Sequence, residues 1–198
     1  RGESVVSVGN NHSANAHAVV SAINKALGND GNTVNYLEVP HLDEESTSAF
    51  NATVEKMKNG GYDTVVMLGT NPVFSAQNKD FESALSNVEE VIHLSDYVDE
   101  TSKKASWHIN KAFYLESWSD GHSYGGVRSV IQPQIQPLYN GLSDIETLNI
   151  IVNGEMTSGY DLVQNTWKNI YSSGFDSKWA TLLHDGVDTN SGFTKANV

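Results

Sequence analysis

The hydrophobic pattern of the chain alternates between short apolar runs and segments whose apolar residues recur at helical spacing. Four runs rich in β-branched residues are predicted as strands, at residues 4–8, 33–39, 64–68 and 91–94. Helical spacing follows each run, over 16–27, from Ser46 or Thr47 to Gly60, over 81–88 and as a short turn over 100–105. Another extended segment follows at 107–115. Strands that alternate with helices across short loops predict an α/β fold with a doubly wound, mainly parallel, Rossmann-like sheet.

Beyond Glu116 the alternation stops. The pairs Asp120-Gly121 and Gly125-Gly126 predict turns, and the prolines within 131–137 predict an extended connector rather than a central strand. Three helical segments are predicted after the connector: one capped by Ser143, one over 162–170 and one around 179–183 that ends near Gly186.

These patterns divide the chain into three parts. We predict an α/β domain over 1–118, an extended connector over 119–142 and a helical extension over 143–198 that leads into a further domain. The chain starts at Arg1 without an initiator Met or a signal-peptide pattern. We therefore expect it to be an internal piece of a longer protein.

A ligand site is expected where the predicted parallel strands end. In such sheets the loops after the carboxyl ends of the strands face one crevice, so the loops 9–13, 69–72 and 95–101 are expected to converge. At the second loop Gly69 permits a positive φ or a close backbone approach, while Pro72 fixes its own φ. The candidate ligand contacts are Gly9, Asn10, Asn11, Gly69, Thr70, Asn71, Pro72, Ser95, Asp96 and Thr101.

Charge and composition then narrow the possible partners. The chain has 12 Lys and Arg against 24 Asp and Glu, a formal net charge of -12, which repels phosphate backbones and disfavours nucleic acid as a partner. It has no Cys, so this segment supplies no disulfide, no iron–sulfur ligand set and no thiol nucleophile. No apolar run approaches the roughly 20 residues of a membrane span, so we expect no direct membrane insertion.

Motifs for catalysis are weak. Residues 9–13 lack the G-x-G-x-x-G pattern of an NAD site, and G-x-S-x-G, which would indicate a hydrolase, is missing from the sequence. His93, His108 and His122 are too widely spaced for a metal motif, so we predict surface or half-buried histidines. We predict neither a catalytic residue nor a metal site.

Two further groups of residues have more than one interpretation. The clusters Asp43-Glu44-Glu45 and Glu89-Glu90 are predicted to be solvated loop charges, with docking to a basic partner as the alternative. Trp118, Trp167 and Trp179 suit either internal packing or a subunit interface, and we favour the interface.

Four short motifs occur in one order along the chain. They are AINKALGN at 22–29, LGTNPVFS at 68–75, ETS at 100–102 and YLE at 114–116. Together they resemble the molybdopterin oxidoreductase family, which includes dimethyl sulfoxide reductase, formate dehydrogenase and polysulfide reductase. Within that family Trp107-His108, residues 114–120 and the Gln-Pro connector are most similar to the iron–sulfur subunits of alternative complex III.

This resemblance implies a scaffold domain in a membrane-bound respiratory complex that oxidises quinol, on the periplasmic side of the bacterial cytoplasmic membrane. It implies as partners other domains of the same chain, cytochrome c and integral membrane subunits. Iron–sulfur clusters would lie elsewhere in the full protein, and this fragment would carry no molybdenum cofactor. The alternative is the guanosine-binding domain of an active enzyme that holds molybdopterin guanine dinucleotide. A third possibility is a stand-alone α/β module that binds a small polar ligand.

Two departures from the catalytic members favour the scaffold. Those members commonly place a guanine-binding Asp where this chain has Ser95, and Asp96 comes one residue later. They also commonly read ADVVLP where this chain has ASWHIN at 105–110. We expect the bulky Trp107 and His108 to fill the crevice in which the cofactor would lie.

Overall fold

The computed structural model describes residues 1–40 and 47–196. The predicted acidic cluster Asp43-Glu44-Glu45 and the predicted Ser46 cap lie outside those ranges. The helices of the described residues are α1 (Ala14–Leu27), α2 (Thr47–Lys58), α3 (Pro72–Ser75), α4 (Phe81–Leu85), α5 (Asp144–Asn153), α6 (Gly159–Ile170) and α7 (Phe175–Asp185). The strands are β1 (Thr64–Leu68), β2 (Glu90–Ser95), β3 (Trp107–Asn110), β4 (Ser119–His122), β5 (Arg128–Ile131) and β6 (Val187–Asp188). A 3-10 turn occupies Ser102–Lys104.

The first sheet has three parallel strands in the order β1-β2-β3. Val66 pairs with Ile92, and Leu94 pairs with Ile109, so the three strands end at one edge. The predicted strands at 64–68 and 91–94 and the predicted turn over 100–105 are confirmed. The fold is therefore a mixture of helices and strands around an all-parallel sheet.

One face of this sheet is buried by α2 and α4. Val54 and Met57 from α2 and Phe81 from α4 are at most 5% exposed and pack with Met67 and Val91 of the sheet. The rings of Phe50 and Phe81 stack with their centroids 5.5 Å apart. This packing confirms the predicted apolar face of the second helix, and burial of these side chains is the main force that holds both helices on the sheet.

The two N-terminal strand predictions are wrong. Residues 4–8 pair with no strand; instead the buried side chain of Asn24 accepts from Val6 N at 3.0 Å and donates to Val6 O at 2.8 Å. Within 33–39 the pairing is limited to isolated bridges, at Val34 and between Leu37 and Lys195. β-branched composition favours extended backbone but supplies no partner strand, and here a helix side chain satisfies the backbone groups.

Helix α1 forms as predicted. Ser13 caps its start by accepting from Ala16 N, and Gly28 ends it in the left-handed conformation with φ 70°. Val19, Ile23 and Leu27 on this helix remain 37% exposed or more. The apolar spacing therefore predicted the helix correctly, while leaving much of its apolar face outside the core.

A second, antiparallel sheet occupies the region predicted to be a connector. Its order is β4-β5-β6, and Asp120 pairs with Val130 inside it. The turn predicted at Asp120-Gly121 is wrong, because both residues lie within β4. The turn predicted at Gly125-Gly126 is present between β4 and β5, and Gly126 has φ 82° there. A Cβ on Gly126 would lie 2.4 Å from Phe193 N, so only glycine fits.

The C-terminal helices pack on this second sheet. Val130, Val163, Trp167, Trp179 and Leu182 form its buried core, with Trp118 packed at the side. Trp167 and Trp179 are 1% and 6% exposed, so the subunit interface favoured for these two residues is wrong: they pack inside the chain. The helices predicted around Ser143, 162–170 and 179–183 are confirmed as α5, α6 and α7.

No helix in residues 1–40 and 47–196 is both long and apolar enough to cross a membrane.

The Asn24 side chain provides a first test. Asn24→Ala leaves Val6 N–H and C=O without these partners, so we expect about 1–3 kcal/mol of local stability to be lost. Hydrogen exchange at the Val6 amide should accelerate about tenfold or more. Asn24→Asp keeps an acceptor for Val6 N–H and should fall between; unchanged exchange in Asn24→Ala would contradict the role of this side chain.

Candidate functional site

The loops after β1 and β2 converge at the carboxyl edge of the parallel sheet, as predicted for 69–72 and 95–101. The backbone links them where the strands end, since Gly69 N donates to Leu94 O at 2.8 Å and Lys111 N donates to Ser95 O at 3.1 Å. Residues 9–13 come to this edge by no such route, because the segment before them is not a strand of the sheet. The parallel sheet therefore does not bring Gly9, Asn10 and Asn11 to this edge, and Ser13 beside them caps α1.

Asn71 and Thr101 fasten the two loops together. The Asn71 Oδ1 atom accepts from Thr101 Oγ1 at 2.7 Å and from Thr101 N at 3.3 Å. Thr101 is fully buried, and its hydroxyl also accepts from Val73 N at 3.0 Å. The Asn71 amide donates to Glu100 Oε2 at 2.7 Å, and this hydrogen bond holds the pKa of Glu100 below its usual value. The polar atoms of Asn71 and Thr101 thus serve the protein itself.

His93, in the middle of β2, reaches both loops from below. Its side chain is fully buried, which corrects the prediction of a surface or half-buried histidine. Nε2 lies 2.7 Å from Thr70 O, so this nitrogen donates, and Nδ1 lies 3.0 Å from Ser102 Oγ. A histidine inside the apolar run of β2 was the available sequence signal, because such a position has to satisfy both ring nitrogens within the fold.

Asp99 completes this buried network. Its Oδ1 accepts from Ser102 N at 2.8 Å and from Ser102 Oγ at 3.0 Å, and Ser95 Oγ donates to Oδ2 at 3.4 Å. Burial acts to raise the pKa of Asp99, but the hydrogen bonds from Ser102 and Ser95 and the nearby His93 outweigh it and hold the pKa below its usual value. Ser95 is therefore committed to Asp99, while Asp96 beside it is exposed.

The space against Gly69 is taken by Lys111, which the sequence analysis missed. Gly69 has φ 63°, and a Cβ built on it would lie 2.6 Å from Lys111 Nζ. The positive φ predicted for Gly69 is therefore confirmed, whereas its close neighbour is a lysine side chain and not the backbone segment offered as the alternative. The Lys111 ammonium is held 2.8 Å from Asp144 Oδ2, at the start of α5. The signal was a lysine directly after the strand at 107–110, in a chain with few cations.

Trp107 does not fill the crevice. It begins β3 and pairs with Ile92, so it lies toward the amino edge of the sheet, where its indole donates to Glu90 Oε2 at 3.1 Å and its side chain is 62% exposed. The next residue, His108, pairs with His93 in mid-strand, with ring centroids 5.9 Å apart. The prediction for Trp107 is wrong because it took proximity in sequence to the crevice for proximity in space.

A backbone bridge between Lys111 and Leu142 connects the carboxyl edge of the parallel sheet with the C-terminal half of the chain. Leu142 lies beside Lys111, donating to Asn110 O at 2.9 Å and accepting from Ala112 N at 2.9 Å. Ser143 then begins α5 with a capping box in which the Glu146 side chain accepts from Ser143 N at 2.9 Å. The same Glu146 accepts from Gly159 N at 2.9 Å, which places the start of α6.

Ser102, His93 and Asp99 have the residue types of a hydrolase triad but not its arrangement. In a triad the carboxylate orients the histidine, and the other ring nitrogen accepts the nucleophile's proton. Here Asp99 accepts a hydrogen bond from Ser102 instead of orienting His93, and His93 Nε2 donates to Thr70 O. The three side chains therefore form a structural hydrogen-bond network. Within the two described ranges, no three His, Cys, Asp or Glu side chains cluster as a metal site. A scan against protein-family models found no match, and neither did a search of curated proteins.

Thr101 offers a test of the loop network. Thr101→Val removes the hydroxyl that donates to Asn71 and accepts from Val73, so we expect a loss of about 1–3 kcal/mol in the free energy of unfolding. Thr101→Ser keeps the hydroxyl and should retain most of the stability. Urea titrations of the three proteins measure the difference; an equal loss in both variants would show that the methyl group matters and the hydroxyl does not.

Asp99 makes stability depend on pH in a defined direction. The pKa of Asp99 is lower in the folded protein than its ordinary value of 3.8, so the ionised form stabilises the fold above that value. This contribution is lost as pH falls through the lowered pKa. The stability gap between the wild type and Asp99→Asn should therefore be largest near neutral pH and shrink below about pH 4. Urea unfolding across this range measures the gap, and Asp96→Asn, which removes the neighbouring exposed carboxyl group, is the control.

Proposed function

We propose that this chain is the scaffold domain of a molybdopterin-oxidoreductase-like subunit of a membrane-bound respiratory complex that oxidises quinol. In this proposal the nucleotide crevice of the family is retained in shape and holds no molybdenum cofactor. The resemblance to this family rests on the motifs at 22–29, 68–75, 100–102 and 114–116. The observation that carries the absence of cofactor is the ion pair of Lys111 and Asp144, which takes the space against Gly69.

The helix after the glycine loop supports the scaffold. A nucleotide phosphate at a helix start needs unengaged backbone N–H groups. At α3, Pro72 has no N–H, Val73 N donates to Thr101 Oγ1 at 3.0 Å, and Phe74 and Ser75 donate to Asn71 O at 3.2 and 3.0 Å. The first turn of α3 therefore presents no spare donor to an anion.

The position expected to recognise guanine supports it too. Ser95 carries a hydroxyl where the catalytic members carry the carboxylate that binds guanine. It is 8% exposed, and its hydroxyl is directed to Asp99. Asp96 is exposed and belongs to the loop beyond the strand end. We therefore assign no guanine-binding carboxylate to the position of Ser95.

We further propose that the parallel sheet belongs to a doubly wound, Rossmann-like fold. Both connections, through α4 and through the 3-10 turn, lie over the face that carries Met67, Val91 and His93. The opposite face carries Val66, Ile92 and Ile109, which are half-buried. Helices over that face would complete the second layer of a doubly wound sheet.

The proposal places the protein on the periplasmic side of the bacterial cytoplasmic membrane. Its partners would be other domains of the same chain, cytochrome c and integral membrane subunits. Iron–sulfur clusters would lie in other parts of the full protein. The formal charge of -12 suits contact with a basic partner.

The second candidate is a guanosine-binding domain of an active molybdopterin enzyme. Lys111 is the observation that favours it, because an ammonium beside Gly69 could bind a phosphate if Asp144 released it. Asn71, Pro72 and Thr101 would line that site after a change in their hydrogen bonds. Asp144 decides between the two candidates.

Calorimetry with guanosine mono- and diphosphate tests the choice. We expect no heat of binding for the wild-type chain, because the N–H groups at the start of α3 are already hydrogen-bonded and the ammonium of Lys111 is paired with Asp144. Asp144→Asn releases Lys111 and should give weak, salt-sensitive binding, while the double variant with Lys111→Met should give none. Micromolar binding by the wild type would overturn the scaffold in favour of the second candidate. Stoichiometric molybdenum and pterin in the full-length protein would do the same.

A further inference from the structure

Asp120 occupies an unusual place in the second sheet. It pairs with Val130, and paired residues lie on the same face of a sheet, so this carboxyl group stands on the face that packs against the helices. β4 is also an edge strand. An inward charge on an edge strand protects against unwanted strand pairing, but that role requires no binding groove.

A groove of about 300 Å³ runs from Asp120 between α5 and α6. Its walls are mainly apolar, with Ile145, Leu148 and Val152 on one side and Leu162 and Val163 on the other. Leu148 and Val152 are 44% and 76% exposed, so the far end of the groove is open. Among the described residues that line it, Asp120 is the one charged group.

Among residues 1–40 and 47–196, the carboxyl group of Asp120 forms no ion pair with a Lys or Arg side chain. Neither Lys nor Arg lines the described groove. Burial raises the pKa of Asp120, and the nearby indole of Trp167 opposes that change. Trp167 Nε1 is itself buried and has no hydrogen-bond partner within the described residues. A cation that entered the groove would therefore meet a poorly solvated carboxylate.

We propose that this groove binds a small aliphatic amine, with its ammonium group on Asp120 and its hydrocarbon chain between α5 and α6. The carboxylate selects a cation, and the apolar walls select an alkyl chain over a metal ion or a polar amine. The net charge of -12 favours the approach of cations over anions. This site is separate from the crevice at Gly69 and does not depend on the function proposed for it.

Three probes of one length test the chemistry: n-pentylammonium, 1-pentanol and pentanoate. Titrations of the whole chain followed by amide NMR should shift residues of β4, α5 and α6 with pentylammonium. We expect its affinity to exceed that of pentanol at least about tenfold, because an ammonium forms a charge-assisted hydrogen bond with the carboxylate. Each methylene added from propyl to pentyl should strengthen binding about fourfold, as apolar contact with the walls increases.

Asp120→Asn should reduce pentylammonium affinity to that of pentanol, while Asp176→Asn, an exposed carboxyl in the first turn of α7, should leave it unchanged. Equal binding of amine and alcohol by the wild type would overturn the proposal. So would unchanged amine binding in Asp120→Asn, or the lack of a saturable shift with any probe. The comparison of amine and alcohol on the wild type needs no variant, so it holds even if Asp120→Asn folds poorly.

Discussion

The structure around the carboxyl edge of the parallel sheet depends on how the hydrogen-bonding groups of that edge are paired. Strands that end together leave backbone donors and acceptors that either the protein or a ligand must satisfy. Here groups of the protein satisfy them. His93 Nε2 donates to Thr70 O, Val73 N donates to the Thr101 hydroxyl, and that hydroxyl donates to Asn71 Oδ1. Because Thr101 and His93 are both fully buried, breaking either set of bonds would leave unpaired groups in the interior. The hydrogen bonds of this edge are therefore formed largely between groups of the protein itself.

The same edge connects the two halves of the chain. Leu142 pairs beside Lys111, and one residue later the capping box of Ser143 starts α5. One oxygen of Glu146 accepts from Ser143 N in that cap and the other accepts from Gly159 N, so a single carboxylate positions two helices. The ion pair between Lys111 and Asp144 lies directly over this junction. A few short contacts thus connect the carboxyl edge of the parallel sheet with the first two C-terminal helices.

Sequence predicted the elements that local signals specify. Gly28, Ser143 and Gly186 marked helix ends correctly because caps act within a few residues. The strands at 64–68 and 91–94 were also predicted, and their order placed the loops 69–72 and 95–101 together. The strands at 4–8 and 33–39 failed because composition does not choose a partner. Asp120-Gly121 failed because turn residues can also sit in an edge strand. His93 and Lys111 were missed since their roles depend on register and on contacts distant in sequence.

Under the proposed function, binding of a nucleotide at this edge depends on a competition for the ammonium group of Lys111. Lys111 is a cation in a chain of net charge -12, and its Nζ is 2.8 Å from Asp144 Oδ2. An incoming phosphate would have to displace that carboxylate and also find backbone donors, of which the start of α3 offers none. The second oxygen of Asp144 is buried without a hydrogen bond within the described residues, so the pair is not fully satisfied. Asp144 therefore holds Lys111 mainly through one contact. The proposed scaffold and the alternative nucleotide site therefore differ in the state of this ion pair.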